Sequence, residues 1–193
     1  AGQLLAESPD LSRADIRLTK IIGTHSQRVN TIIENVLQLS RREQPKTERF
    51  DLYCWLQDFL EDFLVQKSLD TSDVVIQAIN TPIMVCFDPV QLYQVVSNLC
   101  ENALRYSKGK PLLELTLSDE SAKPCLDVRD YGQGMSDEVA AQVFEPFFTT
   151  ETKGTGLGLY IAKEICQANQ ASLHLILNTT AGCCFRIHFT DEG

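Results

Sequence analysis

The sequence predicts an α+β fold in which helices and strands form a layered sandwich, preceded by one long helix. Apolar residues recur at helical spacing over residues 51–68, 89–107 and 156–169. Short β-like runs lie between and after these segments, without the regular alternation of βαβ units. A heptad pattern over residues 12–42 predicts the long helix, because that spacing is typical of helices that pack lengthwise on other helices.

The long N-terminal helix carries an apolar seam with no partner helix of similar length elsewhere in the sequence. The seam residues alternate spacings of four and three: Leu18, Ile22, His25, Val29, Ile32, Val36 and Leu39. We therefore expect the seam to pack on a second copy of the chain or on a helix that precedes this one. Basic residues in the last turn and Pro45 predict the helix end, which divides the chain into regions 1–45 and 46–193.

The remaining elements alternate irregularly after this boundary. Asp51 is the predicted N-cap of the helix at 51–68. A loop broken by glycines follows residue 130, with a short helix near 136–142. The predicted strands cover residues 73–79, 83–87, 112–118, 125–130, 172–178 and 183–189, the last two as a hairpin.

Composition argues against several classes of protein. The 193 residues are 44% hydrophobic, which suffices for a core, and no apolar run of about 18 residues predicts a membrane span. The first residues lack the basic start of a signal peptide. The net charge of −9 argues against nucleic acid as a partner, since that requires a basic face. A local site can still bind an anion through backbone N–H groups, and a metal ion would then offset charge.

The seven cysteines form no C-x-x-C pair, and several lie within apolar runs. We expect them to be buried, reduced side chains. Metal binding by Cys183 and Cys184 is the alternative, but adjacent residues on a strand point to opposite faces.

The segment N-L-C-E-N-A-L-R-Y-S, residues 98–107, places two amides on one helix face. Asn98 and Asn102 are four residues apart, and Arg105 and Tyr106 follow. Amide oxygens suit a Mg²⁺ that keeps water and takes further ligands from phosphates. The adjacent cation and aromatic ring suit a nucleotide, although amides on an ordinary helix surface give the same pattern.

The segment D-Y-G-Q-G-M, residues 130–135, follows a predicted strand. Asp130 ends the strand, and Gly132 and Gly134 allow the chain to turn and a flat ligand to approach. A carboxylate at the floor of a pocket can accept a hydrogen bond from an exocyclic amine. A simple turn is the alternative interpretation.

The segment K-G-T-G-L-G-L places Gly154, Gly156 and Gly158 at the start of a helix. A helix N-terminus offers unpaired N–H groups and the positive end of the helix dipole to phosphate oxygens. Lys153 adds a positive charge. The spacing matches neither a P-loop nor a Rossmann fingerprint.

Three aromatic residues lie in the loop between these last two segments. Phe144, Phe147 and Phe148 would be costly to expose. We interpret the loop as a mobile lid whose aromatic rings dock when a ligand is present. A loop packed permanently on the core is the alternative.

Taken in order, these segments resemble the sensor histidine kinases of two-component signalling. They are similar to the family's N, G1, F and G2 boxes: N-L-C-E-N-A-L-R-Y-S, D-Y-G-Q-G-M, F-E-P-F-F and G-T-G-L-G-L. The match covers residues 51–190 as a catalytic and ATP-binding domain. The resemblance implies the Bergerat (GHKL) fold, a mixed sheet with helices on one face, and an ATP-dependent protein-histidine kinase.

The resemblance also implies roles for individual residues. Asn102 would coordinate Mg²⁺ with Asn98 beside it, and Arg105 would approach the phosphates, so these three would be catalytic. Tyr106 would lie near the adenine, and Asp130 would accept a hydrogen bond from the adenine amino group. The other implied nucleotide contacts are Gly132, Gly134, Phe144, Lys153, Gly154, Thr155, Gly156, Leu157 and Gly158.

Residues 12–42 resemble the second helix of the family's dimerisation and phosphotransfer hairpin. The phosphorylated histidine belongs on the first hairpin helix, which we expect upstream of this chain, so transfer would occur in trans. His25 lies on the seam and lacks an H-E-x-x-x-P setting, which favours a packed histidine over an acceptor.

The resemblance implies further partners and a location. They are a second copy in a homodimer, a cognate response regulator, and a cytoplasmic position within an inner-membrane sensor. The N-terminal segment S-P-D-L-S-R-A-D-I-R-L-T-K-I-I is similar to the nitrogen-regulatory and type IV pilus class, whose response regulators act with an alternative sigma factor.

Two other functions remain open at this point: an ATPase of the same fold, and a non-catalytic nucleotide-binding module. Related ATPases place a glutamate where Asn98 stands, to activate water. An asparagine cannot accept that proton, which favours transfer to histidine, because a neutral imidazole is already a nucleophile. Glu101 faces about 100° away from Asn102 around the helix, so we interpret it as non-catalytic, although it could polarise an acceptor histidine.

Overall fold

The computed structural model describes residues 15–19, 21–23, 25–26, 29, 33, 44–78, 82–109, 111–120, 123–151 and 154–190. Every described residue between 15 and 33 is helical, as the heptad pattern predicts. The rest of the predicted helix 12–42 lies outside the described residues. Leu18, Ile22, His25 and Val29 of the seam are exposed. Among the described residues, no helix is long and apolar enough to cross a membrane.

From residue 44 onward the described chain forms four α-helices. They are α1 (Leu52–Lys67), α2 (Pro89–Tyr106), α3 (Asp137–Gln142) and α4 (Gly158–Ala168). Asp51 caps α1 as predicted, because its side chain accepts a hydrogen bond from the Tyr53 N–H at 3.0 Å. Asp88 caps α2 by accepting from the Val90 N–H at 3.0 Å, with Pro89 at the first helical position.

The described residues form seven strands in two sheets. The strands are β1 (Glu48–Asp51), β2 (Val74–Ala78), β3 (Met84–Phe87), β4 (Leu113–Glu120), β5 (Lys123–Asp130), β6 (Ser172–Thr179) and β7 (Gly182–His188). β1 and β3 pair antiparallel as a small sheet. The larger sheet has the order β2-β4-β5-β7-β6, with β2 parallel to β4 and the other pairs antiparallel. This mixed sheet agrees with the predicted fold class, whereas the sequence did not predict β1.

The helices α1, α2 and α4 cover one face of the larger sheet and enclose the core. Leu56 and Phe63 of α1 and Leu99 of α2 are at most 1% exposed. Every second residue of β4 faces the same core: Leu113, Leu115 and Leu117. Burying a side chain of this size contributes about 1.5–3 kcal/mol, so this face holds the two layers together.

The opposite face of the sheet is polar. Arg186 of β7 donates two hydrogen bonds to the Asp127 carboxylate of β5, at 2.6 and 2.7 Å. Cys183 belongs to the core cluster and its neighbour Cys184 points to the other face, as predicted. All seven cysteines are free and five are buried, but Cys54 is exposed, contrary to the predicted burial.

A β-bulge interrupts the pairing of β6 with β7. Leu175 lies opposite Phe185, but Leu177 lies opposite Cys184, so the register shifts by one residue between them. Because successive side chains alternate between faces, this shift reverses which β6 residues face the helices. Asn178 therefore lies opposite Cys183, on the core side of the sheet.

A buried polar cluster connects the beginning of the domain to two helices. The Asp88 carboxylate accepts a hydrogen bond from the Lys46 N–H at 2.8 Å. The Asp88 N–H donates to Asn169 Oδ1 at 2.9 Å, and Asn169 Nδ2 donates to Gln91 Oε1 at 2.7 Å. Asn169 directly follows α4 and is 3% exposed. The chain before β1 is thus fixed to the start of α2 and the end of α4.

Candidate functional site

The three polar motifs meet at one cavity. It has a volume of about 1120 Å³ and lies between α2, the end of β5 and the start of α4. The predicted site residues that line it are Asn98, Asn102, Arg105, Tyr106, Asp130, Gly134, Thr155, Gly156 and Gly158. His25 of the N-terminal helix also lines this cavity.

The two amides project from the helix α2. Val95, Leu99 and the rest of its buried face anchor the helix in the core, which leaves the opposite face to the cavity. Asn98 Nδ2 donates a hydrogen bond to the Gly158 carbonyl at 3.4 Å, so Asn98 connects α2 to the first residue of α4. Asn102 lies one turn further along and is half-buried.

Asp130 is a buried carboxylate at the end of β5. It is 7% exposed, and its Oδ1 accepts a hydrogen bond from the Gly132 N–H at 2.8 Å. A side chain at residue 132 would lie 2.7 Å from the Tyr106 carbonyl, and one at Gly182 would lie 2.0 Å from the Asp130 carbonyl. Glycine at both positions therefore allows the backbone to close around Asp130.

The third motif places the N-terminus of α4 at the cavity. Gly156 has φ +69°, and a Cβ there would lie 2.4 Å from the backbone of Phe147. Because of this conformation, α4 begins at Gly158, two residues later than predicted. The first N–H groups of a helix have no intrahelical partner, so Gly158 and Leu159 offer donors and a positive dipole end to an anion.

The aromatic residues of the predicted lid differ in their surroundings. Phe144 packs edge to face on Phe185 of β7, with ring centroids 6.0 Å apart. Phe148 is half-buried and lines the cavity. Phe147 is 62% exposed with φ +66°, a conformation that non-glycine residues rarely adopt. Within this loop, one ring is therefore fixed to the core, whereas another is left in solvent.

Several residues predicted for the site do not line the cavity. Gly132 and Gly154 lie behind its surface, and Phe144 packs on the core. The side chain of Leu157 is fully buried, and its backbone N–H donates a hydrogen bond to Thr155 Oγ1 at 3.4 Å. Lys153 lies outside the described residues, so its role stays a prediction.

The cavity also has lining residues that the sequence did not indicate. A polar example is Gln94, and apolar examples are Val139, Val143, Ile161 and Phe185. Met135, the last residue of the second motif, and Glu101, which the sequence indicated as non-catalytic, also line the cavity. Glu101 Oε1 lies 2.6 Å from Lys67 Nζ of α1, which orients this carboxylate along the helix surface. The apolar residues belong to patterns that predict core packing, so no separate signal marks them as site residues.

Cys183 places a neutral thiol beside Asp130. Burial, and then the negative charge of Asp130, raise the pKa of Cys183 to about 11. The thiol is therefore protonated near neutral pH, and it donates to Asn178 Oδ1 at 3.5 Å. Cys183 thus adds no charge beside Asp130.

The cavity combines a polar half and an apolar half. The polar half holds two amides, an arginine and a helix N-terminus, which suit phosphates. The apolar half surrounds a buried carboxylate and suits a flat ring with an exocyclic amine. These features define the class of nucleotide-binding domains in which a helix-covered mixed sheet holds the base.

The chain belongs to the family of histidine kinase-, DNA gyrase B- and HSP90-like ATPases, whose model matches residues 87–193. This match supports ATP binding by the domain. The Sensor protein kinase PilS of Pseudomonas aeruginosa is 46% identical over 194 residues, covering 98% of this chain and 36% of that protein. The Sporulation kinase A of Bacillus subtilis is 25% identical over 176 residues, covering 89% of this chain and 28% of that protein. The chain thus spans about a third of the length of these curated relatives.

Solved structures share the fold. The catalytic domain of the histidine kinase ThkA is 25% identical, with a TM-score of 0.62, covering 75% of this chain and 95% of that chain. The Acinetobacter baumannii histidine kinase AdeS has a TM-score of 0.68 at 23% identity, covering 98% of this chain and 90% of that chain. The α+β fold with an ATP-binding mixed sheet is therefore confirmed.

Proposed function

We propose that this chain is the catalytic part of a two-component sensor kinase, which transfers the γ-phosphate of Mg-ATP to a histidine. The observation that carries the proposal is the convergence of Asn102, Asp130 and Gly156 on one cavity. The names of the relatives, which include sensor kinases of several bacteria, support the same reaction.

The donor set of the cavity fits a magnesium ion that arrives with the nucleotide. The described residues contain no cluster of three His, Cys, Asp or Glu side chains able to hold a metal alone. Asn102 and Asn98 supply neutral oxygen donors, which suit a Mg²⁺ that takes its other ligands from phosphates and water. Bound there, Mg²⁺ would neutralise charge on the phosphate oxygens.

The side chains of the cavity position the nucleotide. Asp130 accepts a hydrogen bond from the adenine amine, and Tyr106 lies near the ring. Arg105 and the N-terminal N–H groups of α4 would hold the phosphates. Phosphoryl transfer requires mainly this positioning and the stabilisation of charge.

The cavity favours transfer to histidine over hydrolysis. Asn98 stands where related ATPases carry a glutamate, and its amide donates to the Gly158 carbonyl instead of accepting a proton. Glu101 lies 2.6 Å from Lys67 Nζ, so its carboxylate is engaged by a lysine of α1. A histidine acceptor needs no such base, because its neutral imidazole is a nucleophile.

We further propose partners that the resemblance implies. The acceptor histidine lies on the first helix of a dimerisation hairpin, and residues 12–42 form its second helix. The exposed residues Leu18, Ile22 and Val29 agree with a helix face that packs on another helix. The cognate response regulator takes the phosphate, and the domain lies on the cytoplasmic side of an inner-membrane sensor of the nitrogen-regulatory and type IV pilus class.

The test mixes the chain, radiolabelled Mg-ATP and a peptide that carries the first hairpin helix. We expect acid-labile, base-stable phosphate on the peptide histidine and none on the chain. A His25→Ala variant distinguishes the peptide histidine from His25 as the acceptor. This control is needed because His25 lines the cavity. If the chain itself becomes labelled and this label is absent from the variant, the acceptor is His25. Release of free phosphate without any phosphohistidine would favour an ATPase.

A further inference from the structure

We infer that Asn178 is a positioning residue for the adenine site, because its side-chain amide fixes the loop that follows Asp130. Asn178 does not line the cavity and belongs to none of the three motifs. Its amide contacts the backbone of Met135, which does line the cavity. The inference rests on the assignment of the cavity to ATP and not on the identity of the phosphate acceptor.

The hydrogen bonds of Asn178 use both halves of its amide. Oδ1 accepts a hydrogen bond from the Met135 N–H at 2.8 Å, and Nδ2 donates to the Met135 carbonyl at 2.9 Å. The side chain therefore pairs with Met135 as a neighbouring strand would. An amide side chain presents an acceptor and a donor side by side, so Asn178 can make both hydrogen bonds to Met135 at once.

The β-bulge of β6 directs Asn178 toward this loop. With regular alternation from Leu173 and Leu175, residue 178 would point away from the helices. The register shift after Leu175 places Asn178 opposite Cys183, on the side of the cavity. Bulges next to functional sites commonly redirect a side chain in this way.

The loop of residues 131–136 is fixed at both ends by different parts of the fold. Its beginning is held by the end of α2, since the Tyr131 N–H donates to Ser107 Oγ at 2.9 Å. Its second half approaches the β6–β7 hairpin so closely that a Cβ on Gly134 would lie 2.1 Å from the Thr179 carbonyl. The two Asn178 hydrogen bonds to Met135 hold this second contact.

This arrangement predicts an effect on the base and not on the phosphates. Gly134 and Met135 border the same half of the cavity as Asp130, whereas the phosphate donors belong to α2 and α4. Releasing Met135 would let the loop move away from a bound ring. The amide pair and the helix N-terminus would keep their positions, because neither contacts Asn178.

The test compares Asn178→Ala with two variants of matched location. Thr179→Ala removes the neighbouring bond from the Ala181 N–H to Thr179 Oγ1 at 3.1 Å, in the same hairpin, and leaves Met135 untouched. Asp130→Asn serves as the reference for direct loss of an adenine contact. Binding of ADP and of magnesium tripolyphosphate is measured by calorimetry, and exchange of the Met135 amide hydrogen by NMR.

For Asn178→Ala we expect about tenfold weaker ADP binding, tripolyphosphate binding within about twofold, and faster exchange at Met135. At saturating ATP, kcat for phosphotransfer is unchanged while KM rises. Thr179→Ala should change none of these values. Equal losses for ADP and tripolyphosphate, or unchanged ADP binding together with unchanged exchange at Met135, would overturn the inference.

Two further outcomes are distinguishable. If Asn178→Ala does not fold, Asn178→Asp replaces it in the test. This variant keeps the acceptor for the Met135 N–H and loses the donor to the Met135 carbonyl. Unchanged ADP affinity in Asn178→Asp would then overturn the inference. If Asp130→Asn also leaves ADP binding unchanged, the adenine does not lie beside Asp130, and the positioning role of Asn178 fails with that assignment. Absence of phosphotransfer with normal ADP binding affects the proposed reaction alone.

Discussion

The two walls of the cavity are built differently. The helix wall consists of α2 and the end of β5, and it carries Asn98, Asn102 and Asp130. The loop wall consists of the described residues between α3 and α4, which are 143–151 and 154–157. Side chains of the helix wall project from elements whose other faces are buried in the core. The loop wall relies on a few backbone hydrogen bonds, such as the 2.8 Å bond from the Phe147 N–H to the Gly156 carbonyl.

This difference indicates that the two walls have different roles. Groups that must meet a fixed geometry lie on the helix wall, where packing determines their position. The loop wall holds an exposed aromatic ring, and few buried apolar contacts are typical of segments that open locally. It also holds Phe147 at a positive φ, a strained conformation that a change of the loop would release. Substitutions on the helix wall should therefore affect binding or transfer strongly, and substitutions on the loop wall more weakly.

The largest effect is expected for Asn102→Ala. Loss of the magnesium ligand should reduce Mg-ATP-dependent transfer by about 100-fold or more, since a metal contributes several kcal/mol to stabilising the transferred phosphate. Folding should be retained, because alanine favours a helix. The control is Val90→Ala, at an 80% exposed residue of the same helix. Normal transfer rates in Asn102→Ala would exclude Asn102 as the metal ligand.

A smaller loss is expected for Asp130→Asn. A hydrogen bond to a charged group contributes about 1.5–3 kcal/mol, so ADP should bind about 10- to 100-fold more weakly, while magnesium pyrophosphate changes by less than about twofold. Asp127→Asn is the matched control on the same strand, because it breaks the contact with Arg186 on the opposite face. Equal weakening of both ligands by Asp130→Asn would place Asp130 outside the adenine pocket.

The smallest effect is expected for Phe147→Ala on the loop wall. Because Phe147 is 62% exposed, the free energy of unfolding without nucleotide should change by less than about 0.5 kcal/mol. Phe144→Ala removes a ring that packs on Phe185 and should cost about 1–3 kcal/mol. Thermal unfolding of the two variants checks this order. A larger loss in Phe147→Ala would mean that the loop wall is part of the core.

The helices and the polar motifs could be predicted from the sequence because their signals are local. Asp51 and the spacing of Asn98 and Asn102 depend on neighbours within one or two helical turns. The predicted hairpin at the end of the chain agrees with β6 and β7. The division at residue 45 stays a prediction, because part of the boundary lies outside the described residues.

Other features depend on contacts between distant segments. β1 is four residues long and becomes a strand through pairing with β3, with Phe50 opposite Val85. The apolar half of the cavity uses residues such as Ile161, whose spacing predicts only burial. Asn178 gains its role from a bulge, and the letters L-I-L-N give no sign of a register shift. In each case the deciding partner is remote in the sequence.

The hydrogen bond between the Lys46 N–H and the Asp88 carboxylate has a mechanical consequence. Asp88 is the residue that begins α2, the helix of Asn98 and Asn102. A tension applied to the chain ahead of residue 46 would thus load the nucleotide-bearing helix directly, at its first turn. With Asn169 in the same cluster, part of this load would pass to the end of α4.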